Sequence, residues 1–270
     1  MIIAVWGDEK TAKTTFGLTF PKPIKHFDPD LGFYRAAPRF KKEIDAGEIT
    51  TKEYPIPLQM GVGLKGIREL WEEFQKDYYT AAMDKNVATL VVDSGTQLYE
   101  VVRLAFLQER QEAQVKRGMK PNDTLRESLL PVEYAEPFAR LDSIYYTAKA
   151  TRKHLVVTHF SREERADRLN PTTGVIENVT TGKMELDGYK RTARQVDMVL
   201  YTYMAPAPRD PKVAGNPRLI PANPKVTEPQ ESIPWGLVML SGLELKMVGQ
   251  RLQEPSYEKV VSLLGMLRGE

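Results

Sequence analysis

The first twenty residues contain the feature that most constrains the fold of this chain. An apolar run at residues 2–6 (IIAVW) is followed by the segment GDEKTAKTT, and residues 14–20 (TTFGLTF) then open a helix. A strand, a tight turn and a helix in this order are typical of the first unit of a parallel sheet covered by helices. The turn is one residue away from the pattern G-x-x-x-x-G-K-[ST], because Ala12 stands where the second glycine is usual.

Short β-branched runs alternate with amphipathic stretches over the first two hundred residues or so. The runs predict five strands, at residues 2–6, 23–28, 88–93, 154–159 and 196–203. Apolar residues at three- and four-residue spacing predict helices over residues 64–83, 96–116 and 132–150. The alternation predicts an α/β fold with a mainly parallel sheet sandwiched by helices.

The remaining segments have no clear periodicity or lie near the C-terminus. Residues 118–131 join two predicted helices, and residues 160–194 are long and charged, which is typical of a functional loop or a hairpin. Residues 205–234 contain eight prolines and predict an extended arm, followed by a hairpin at 235–248 and a helix at 256–267 capped by Ser256. We therefore divide the chain into a core, residues 1–204, and an extension, residues 205–270, that packs on it.

Composition excludes several classes of protein. The 270 residues include 38 basic and 36 acidic side chains, so the net charge of +2 is too small for a surface that attracts nucleic acid everywhere. Cysteine is absent, which excludes disulfides and thiolate metal sites. No signal peptide and no apolar run of membrane-spanning length is found. We expect a soluble protein with no membrane association, located in the cytoplasm, that of a bacterial host if the chain is phage-encoded.

The turn after the first predicted strand fits a phosphate-binding loop. Backbone N–H groups of such a loop surround the phosphates of ATP, while Lys13 reaches the β- and γ-phosphates and the Thr14 hydroxyl ligates Mg²⁺. The added methyl of Ala12 resembles the Ala-Lys-Thr/Ser loop of the minichromosome maintenance helicases, which implies that it is tolerated. The alternative is a strand, turn and helix with an incidental Lys-Thr pair. The candidate ATP-binding residues are Gly7, Asp8, Glu9, Lys10, Thr11, Ala12, Lys13, Thr14 and Thr15.

A second acidic motif accompanies the loop. Residues 87–94 (VATLVVDS) form an apolar strand that ends at Asp93. A carboxylate at the end of a neighbouring buried strand is suited to orient the water shell of Mg²⁺, so Thr14 and Asp93 are the candidate metal residues. The alternative role of Asp93-Ser94 is a helix cap.

Three stretches resemble the RecA-like ATPases, and within them the short phage-type P-loop proteins related to single-strand annealing recombinases. The stretches are GDEKTAKTTFGLTFPKPIKHFDPD, TLVVDSGTQLYE and HLVVTHFSREE, and the likeness covers roughly residues 1–203. It implies a RecA-like P-loop core. It also places Asp30 where the family has the glutamate that polarises the attacking water, with a carboxylate one methylene shorter. The alternative for Asp28-Pro29-Asp30 is a β-turn.

The same resemblance implies further roles. His159, at the end of the fourth predicted strand, takes the position of a polar sensor of the γ-phosphate, so the catalytic candidates are Lys13, Asp30 and His159. A strand-end histidine satisfied by solvent is the alternative. Basic residues before the fifth strand would reach the γ-phosphate of a neighbouring subunit, which requires a homo-oligomer. The candidates for this trans action are Lys190, Arg191 and Arg194.

Basic residues in the two irregular connections are candidates for binding single-stranded DNA. In RecA-like proteins the loops after the third and fourth strands hold nucleic acid, and the cations here could neutralise its phosphates. The candidates are Arg162, Arg165, Arg168, Lys183, Lys120 and Arg126. Acidic residues lie between them, so a solvated charged surface is an equally good interpretation.

The motifs lead to one main hypothesis and two alternatives. The main hypothesis is an ATP- and Mg²⁺-dependent RecA-like protein of DNA recombination or replication that oligomerises, binds single-stranded DNA and hydrolyses ATP slowly. A small-molecule or nucleotide kinase is the first alternative, because residues 162–168 (REERADR) resemble an arginine-bearing lid. The second is a nucleotide-gated assembly protein without turnover, for which aspartate at position 30 is the motivating feature.

Overall fold

Ten strands and seven helices form in the part of the chain that the computed structural model describes, which is residues 1–59, 63–118, 124–169, 171, 174–206 and 232–269. The strands are β1 (Ile2–Gly7), β2 (Ile24–Asp28), β3 (Ile49–Glu53), β4 (Thr89–Val92), β5 (His154–His159), β6 (Ser161–Leu169), β7 (Ile176–Leu186), β8 (Met198–Pro206), β9 (Ser232–Ser241) and β10 (Arg251–Gln253). The helices are α1 (Lys13–Leu18), α2 (Lys41–Asp45), α3 (Ile67–Met83), α4 (Gly95–Lys116), α5 (Ala135–Ala150), α6 (Thr192–Gln195) and α7 (Tyr257–Arg268).

Eight of the strands form one sheet in the order β10-β9-β8-β1-β5-β4-β2-β3. The six strands from β8 to β3 run parallel, and β9 and β10 are added antiparallel beyond β8. The predicted α/β fold with a mainly parallel sheet between helices is confirmed. One strand, β5, lies between the phosphate-loop strand β1 and the Asp93 strand β4.

The side chains of β1 show how the helices cover both faces of the sheet. Ile2, Ala4 and Trp6 pack in a core with residues of α3, α4 and α5. Ile3 and Val5 point to the other face and pack with residues of α1 and α7. All six residues of β1 are buried, because a central parallel strand has helices on both sides.

The strand β3 is an element that the sequence did not predict. It pairs in parallel with β2 at the edge of the sheet, and only its first residue, Ile49, is buried. Its sequence, ITTKE, has a single large apolar residue, so no hydrophobic pattern marks it. The edge position explains why so polar a strand is tolerated.

Strands β6 and β7 form an antiparallel hairpin that is separate from the main sheet. The hairpin is one of the two structures expected for residues 160–194. Most of its side chains are exposed or half-buried, which accounts for the charged and irregular sequence of this segment.

The C-terminal strands continue the main sheet. β9 pairs with β8 on one side and with β10 on the other. The hairpin predicted at residues 235–248 therefore extends further along the chain, because its second strand, β10, begins at Arg251. Ser256 caps α7 as predicted, its Oγ accepting a hydrogen bond of 3.3 Å from the Lys259 N–H. Most of the predicted proline-rich arm, residues 207–231, lies outside the described residues, and the division at residue 204 stays a prediction. No described helix is long and apolar enough to span a bilayer.

Candidate functional site

A cleft of about 350 Å³ opens where the carboxyl ends of β1, β2, β4 and β5 meet, the edge at which parallel sheets usually bind ligands. Seven of the nine candidate loop residues line it, and Gly7 and Asp8 form the start of the same loop. Candidates from three separate parts of the sequence therefore share one cleft. Its lining residues are Glu9, Lys10, Thr11, Ala12, Lys13, Thr14, Thr15, Asp30, Gly32, Arg35, Ala36, Arg39, Asp93 and Phe160.

The backbone of the loop explains its two small residues. A Cβ at Gly7 would lie 2.1 Å from the carbonyl oxygen of Thr202 on β8, so only glycine fits beside that strand. Ala12 has φ 66° and ψ 26°, a left-handed conformation that glycine adopts without strain. The usual glycine at this position is therefore explained by backbone conformation as well as by the approach of a phosphate.

Thr11 fastens the middle of the loop to the sheet. Its hydroxyl donates to the carbonyl of Asp8 at 2.8 Å and shares a hydrogen bond of 2.8 Å with the hydroxyl of Thr202. Both threonines are buried. The loop is thus held from β8, the strand that lies beside β1 in the sheet.

Lys13 is folded back along the loop. Its Nζ donates to the carbonyls of Gly7 at 2.8 Å and Asp8 at 2.6 Å, and it lies 5.5 Å from the ring centre of Phe160. Burial lowers the pKa of Lys13 below its ordinary value, and the cleft carboxylates, above all Asp93, oppose that shift. The two carbonyls therefore hold the ammonium group against the loop.

Thr14 and Asp93 are in direct contact. The Thr14 hydroxyl donates to Asp93 Oδ2 at 2.5 Å, and the Thr158 hydroxyl donates to Asp93 Oδ1. His26 Nε2 lies 3.6 Å from Asp93 Oδ2, while His26 Nδ1 is 2.9 Å from the hydroxyl of Thr51 on β3. Although burial alone would raise it, the pKa of Asp93 lies below its usual value because His26, Thr14 and Thr158 favour the carboxylate.

These residues suit Mg²⁺ only together with a ligand that brings oxygen atoms. Among the described residues no group of three or more histidine, cysteine, aspartate or glutamate side chains could hold a metal ion by itself. A hydroxyl and a carboxylate in contact beside a phosphate loop provide a hard-oxygen donor set, and Mg²⁺ commonly completes its octahedron with phosphate oxygens and water.

Asp30 is half-buried at the same cleft, and its backbone N–H donates to the Asp93 carbonyl at 3.3 Å. Burial, with the nearby carboxylates of Asp93 and Asp28, raises the pKa of Asp30 to about 6. Asp28 instead has a structural role, because it is fully buried and accepts N–H groups of Gly32 and Phe33 at 3.1 and 2.8 Å. The turn expected as the alternative for this segment is thus organised by Asp28, which leaves Asp30 facing the cleft.

His159 lies outside the residues that line the cleft. Its ring is fully buried against Gly95, and Nδ1 is 3.1 Å from the carbonyl oxygen of Asp187, to which it donates. Burial lowers the pKa of His159 to about 4, so the imidazole is neutral near pH 7. The sensor role of His159 stays a prediction.

Those of the predicted trans-acting and DNA-binding cations that the structure describes do not line the cleft. Arg162 pairs with Glu185 and Asp187 within the hairpin, and Arg126 is held by Glu133. Arg191 lies 3.7 Å from Asp142. Lys120 lies outside the described residues. The candidates that remain exposed in the described part of the chain, with no ion pair within 4 Å, are Arg165, Arg168, Lys183, Lys190 and Arg194.

Two arginines at the cleft were not among the candidates. Arg35 and Arg39 follow β2 in successive 3-10 turns, Phe33–Arg35 and Ala37–Phe40, and both line the cleft. A pair of arginines four residues apart, shortly after the Asp28-Pro29-Asp30 segment, is the only signal in the sequence for them. Phe160 also lines the cleft, and its ring centre lies 5.5 Å from Lys13 Nζ.

The comparisons with known proteins find similar solved structures. No protein-family model and no curated protein sequence matches the chain. The structure is similar to that of a KaiC-like protein from the hyperthermophilic archaeon Pyrococcus horikoshii OT3, with a TM-score of 0.49 and 12% sequence identity. The match covers 93% of this chain and 84% of the other. A likeness of this extent decides nothing about function.

Proposed function

We propose that the chain is a RecA-like P-loop ATPase that binds ATP with Mg²⁺ in the cleft at the end of β1. One observation carries the proposal: the fold brings the loop, Lys13, the Thr14–Asp93 pair and Asp30 to a single cleft from three distant parts of the sequence. Each of these groups has a role in phosphoryl transfer, and packing of the core does not require them to meet.

The chain's own residues divide the work of hydrolysis. Lys13 exchanges its two carbonyl partners for phosphate oxygens, and loop N–H groups surround the phosphates. Thr14 and Asp93 hold the metal, which, when bound, neutralises phosphate charge. Asp30 accepts a proton from the attacking water, and its raised pKa makes the carboxylate a stronger base than an ordinary aspartate.

We further propose that the protein oligomerises and binds single-stranded DNA in recombination or replication, with the β6–β7 hairpin as the DNA-binding element. The exposed cations Arg165, Arg168 and Lys183 support this assignment. The base of the hairpin contacts the loop, because the Ser161 hydroxyl donates to Asp8 and Phe160 lies over Lys13. Nucleotide and DNA would thus act on adjoining residues.

The kinase alternative has less support. Residues 162–168, which would form its lid, belong to β6, and none of them lines the cleft. The nucleotide-gated assembly alternative depends on Asp30 and is decided by whether ATP turns over.

The proposal is tested by measuring ATP binding and hydrolysis by the purified full chain, with and without single-stranded DNA, beside Lys13→Ala and Asp30→Asn. We expect Lys13→Ala to abolish ATP binding and Asp30→Asn to retain binding but lose turnover. Lys42→Ala, an exposed change on α2 outside the cleft, is the charge-matched control. Unchanged ATP affinity in Lys13→Ala would refute the nucleotide site, and binding without turnover in the wild type would favour the assembly protein.

A further inference from the structure

The segment after β2 holds two arginines at the nucleotide cleft. Asp28 accepts the backbone N–H groups of Gly32 and Phe33, and Phe33 is buried in the core, so the start of this segment is fixed to the sheet. Arg35 ends the first 3-10 turn and Arg39 lies in the second. Both line the cleft on the same segment as Asp30.

Neither arginine is engaged by a carboxylate. Over the described residues, neither Arg35 nor Arg39 has an acidic partner within 4 Å, whereas Arg126, Arg162 and Arg191 all have one. Arg35 contacts its neighbour Tyr34. The Arg35 Nε–H donates to the Tyr34 hydroxyl at 3.1 Å, and the guanidinium group lies 5.2 Å from the centre of the Tyr34 ring. Two guanidinium groups thus line the cleft without a described carboxylate within ion-pair distance.

The position of Arg35 relates it to the reacting end of a bound nucleotide. Arg35 lies five residues after Asp30, and both side chains line the same cleft. A cation on this segment therefore faces the same space as the carboxylate proposed to activate the water, and in the proposed site that space receives the γ-phosphate.

We propose that Arg35 and Arg39 bind the γ-phosphate in cis and neutralise the charge that develops there during hydrolysis. The inference deepens the proposed ATPase function and rests on it. Water attacks the γ-phosphorus, Asp30 takes its proton, and the bond to the oxygen that bridges the β- and γ-phosphates breaks, releasing ADP and phosphate. The guanidinium groups stay unchanged and stabilise the transferred phosphoryl group. Turnover therefore needs no cation from a neighbouring subunit.

Binding measurements test the assignment even if turnover is slow. The affinities of AMP-PNP and ADP, both with Mg²⁺, are measured for the full chain and for Arg35→Ala/Arg39→Ala. We expect the double variant to bind AMP-PNP about tenfold or more weakly and ADP with nearly unchanged affinity, because only the γ-phosphate loses charged donors. Lys41→Ala/Lys42→Ala removes two charges just beyond these turns, outside the cleft, and should change neither affinity. Equal affinities for AMP-PNP in wild type and double variant would overturn the assignment.

A mixing experiment separates action in cis from action in trans. We expect Arg35→Ala/Arg39→Ala to lower kcat about 100-fold or more, and an equal mixture with Lys13→Ala to show no recovery. In the mixture a Lys13→Ala subunit still carries both arginines and could donate them to an intact site in its neighbour. Recovery of turnover would show action in trans and overturn the proposal. The proposal would also be overturned if the double variant kept the kcat of the wild type while Lys190→Ala/Arg191→Ala/Arg194→Ala lost turnover.

Failure of this inference differs from failure of the proposed function. If Lys13→Ala binds ATP like the wild type, the cleft is not the nucleotide site and both fail. If Lys13→Ala loses ATP while the arginine double variant still prefers AMP-PNP to ADP as the wild type does, only the cis assignment fails.

Discussion

Ala12 occupies the position at which the pattern of a phosphate-binding loop has glycine. Its left-handed backbone costs an alanine about 1 kcal/mol relative to a glycine. Glycine loses more backbone entropy on folding than alanine does, and this loss offsets part of the stabilisation that glycine would give at this position. The side chain lines the cleft, so a bound phosphate would lie close to its methyl group.

Substitutions at position 12 should separate backbone strain from obstruction. We expect Ala12→Gly to change the free energy of unfolding by less than about 1 kcal/mol and to retain ATP affinity. Ala12→Val should destabilise the protein by about 1–2 kcal/mol and weaken ATP binding, because a β-branched residue rarely adopts this conformation. Chemical denaturation and nucleotide titration measure both. A tenfold rise in ATP affinity for Ala12→Gly would show that the methyl group obstructs the phosphates.

Because of Asp30, activity should rise and stability should fall as the pH increases. Its pKa is raised from 3.8 to about 6, so the folded protein binds more protons than the unfolded chain between these values, and stability falls as pH rises through that window. Asp30→Asn should therefore be more stable than the wild type above pH 6, by about 1–2 kcal/mol once solvent screening at this half-buried site is allowed for. The difference should shrink toward pH 4.

The activity of the wild type should change over the same pH window. A base must be ionised, so turnover should rise through an apparent pKa near 6 and level off above it, and Asp30→Asn should lose both turnover and the transition. Denaturation midpoints and rates from pH 4 to pH 8 are the measurements. A wild-type profile without a transition near pH 6 would argue against Asp30 as the base.

At the scale of elements, the β6–β7 hairpin is separate from the main sheet. Its two strands pair with each other, and Leu186 at its end packs against the core. Its base is connected to the loop after β1 by the hydrogen bond of Ser161 to Asp8, and to the end of β5 by the hydrogen bond of His159 to Asp187. This arrangement is suited to a hairpin whose position depends on the state of the cleft.

Replacing residues 162–185 with Asn-Gly tests the role of the hairpin. Ser161 and Leu186 are paired across its base, so a two-residue turn can join them. We expect the free energy of unfolding to change by less than about 1 kcal/mol, ATP binding to persist, and binding of single-stranded DNA, followed by fluorescence anisotropy, to be lost. Unchanged DNA binding in this variant would place the DNA site elsewhere on the protein.

At the scale of the whole molecule, the C-terminal residues belong to the same core as the phosphate loop strand. Val238, Met247, Leu252 and Val260 pack in one cluster with Ile3, Val5 and Leu200. β9 also covers the edge of β8, the strand whose Thr202 holds the loop. The C-terminal part therefore supports the site indirectly.

A chain ending at residue 206 should not fold cooperatively. It loses four buried apolar side chains worth about 1.5–3 kcal/mol each, which is comparable with the whole stability of a typical domain. Val260→Ala in the full chain is the control and should cost about 2 kcal/mol while leaving a folded protein. A cooperative unfolding transition in the 1–206 chain would show that the core is independent of the extension.

Much of the parallel sheet and most of the cleft could be predicted from residues close together in the sequence. The strand at residues 154–159 matches β5, and the loop, Lys13, Thr14, Asp30 and Asp93 are all found at the cleft. These residues meet because buried parallel strands are continuous apolar runs whose carboxyl ends share an edge of the sheet. The polar edge strand β3 has no such run, and it could not be predicted.

The sequence by itself determined where the loop lies and how strands and helices alternate, since both depend on short-range patterns. Only the tertiary structure decided which charges reach the cleft. It placed Arg35 and Arg39 there, turned His159 toward Asp187, and paired Arg126 and Arg162 with carboxylates elsewhere. The physical reason is that a side chain's electrostatic partners are set by contacts between residues distant in sequence, and periodicity contains no information about those contacts.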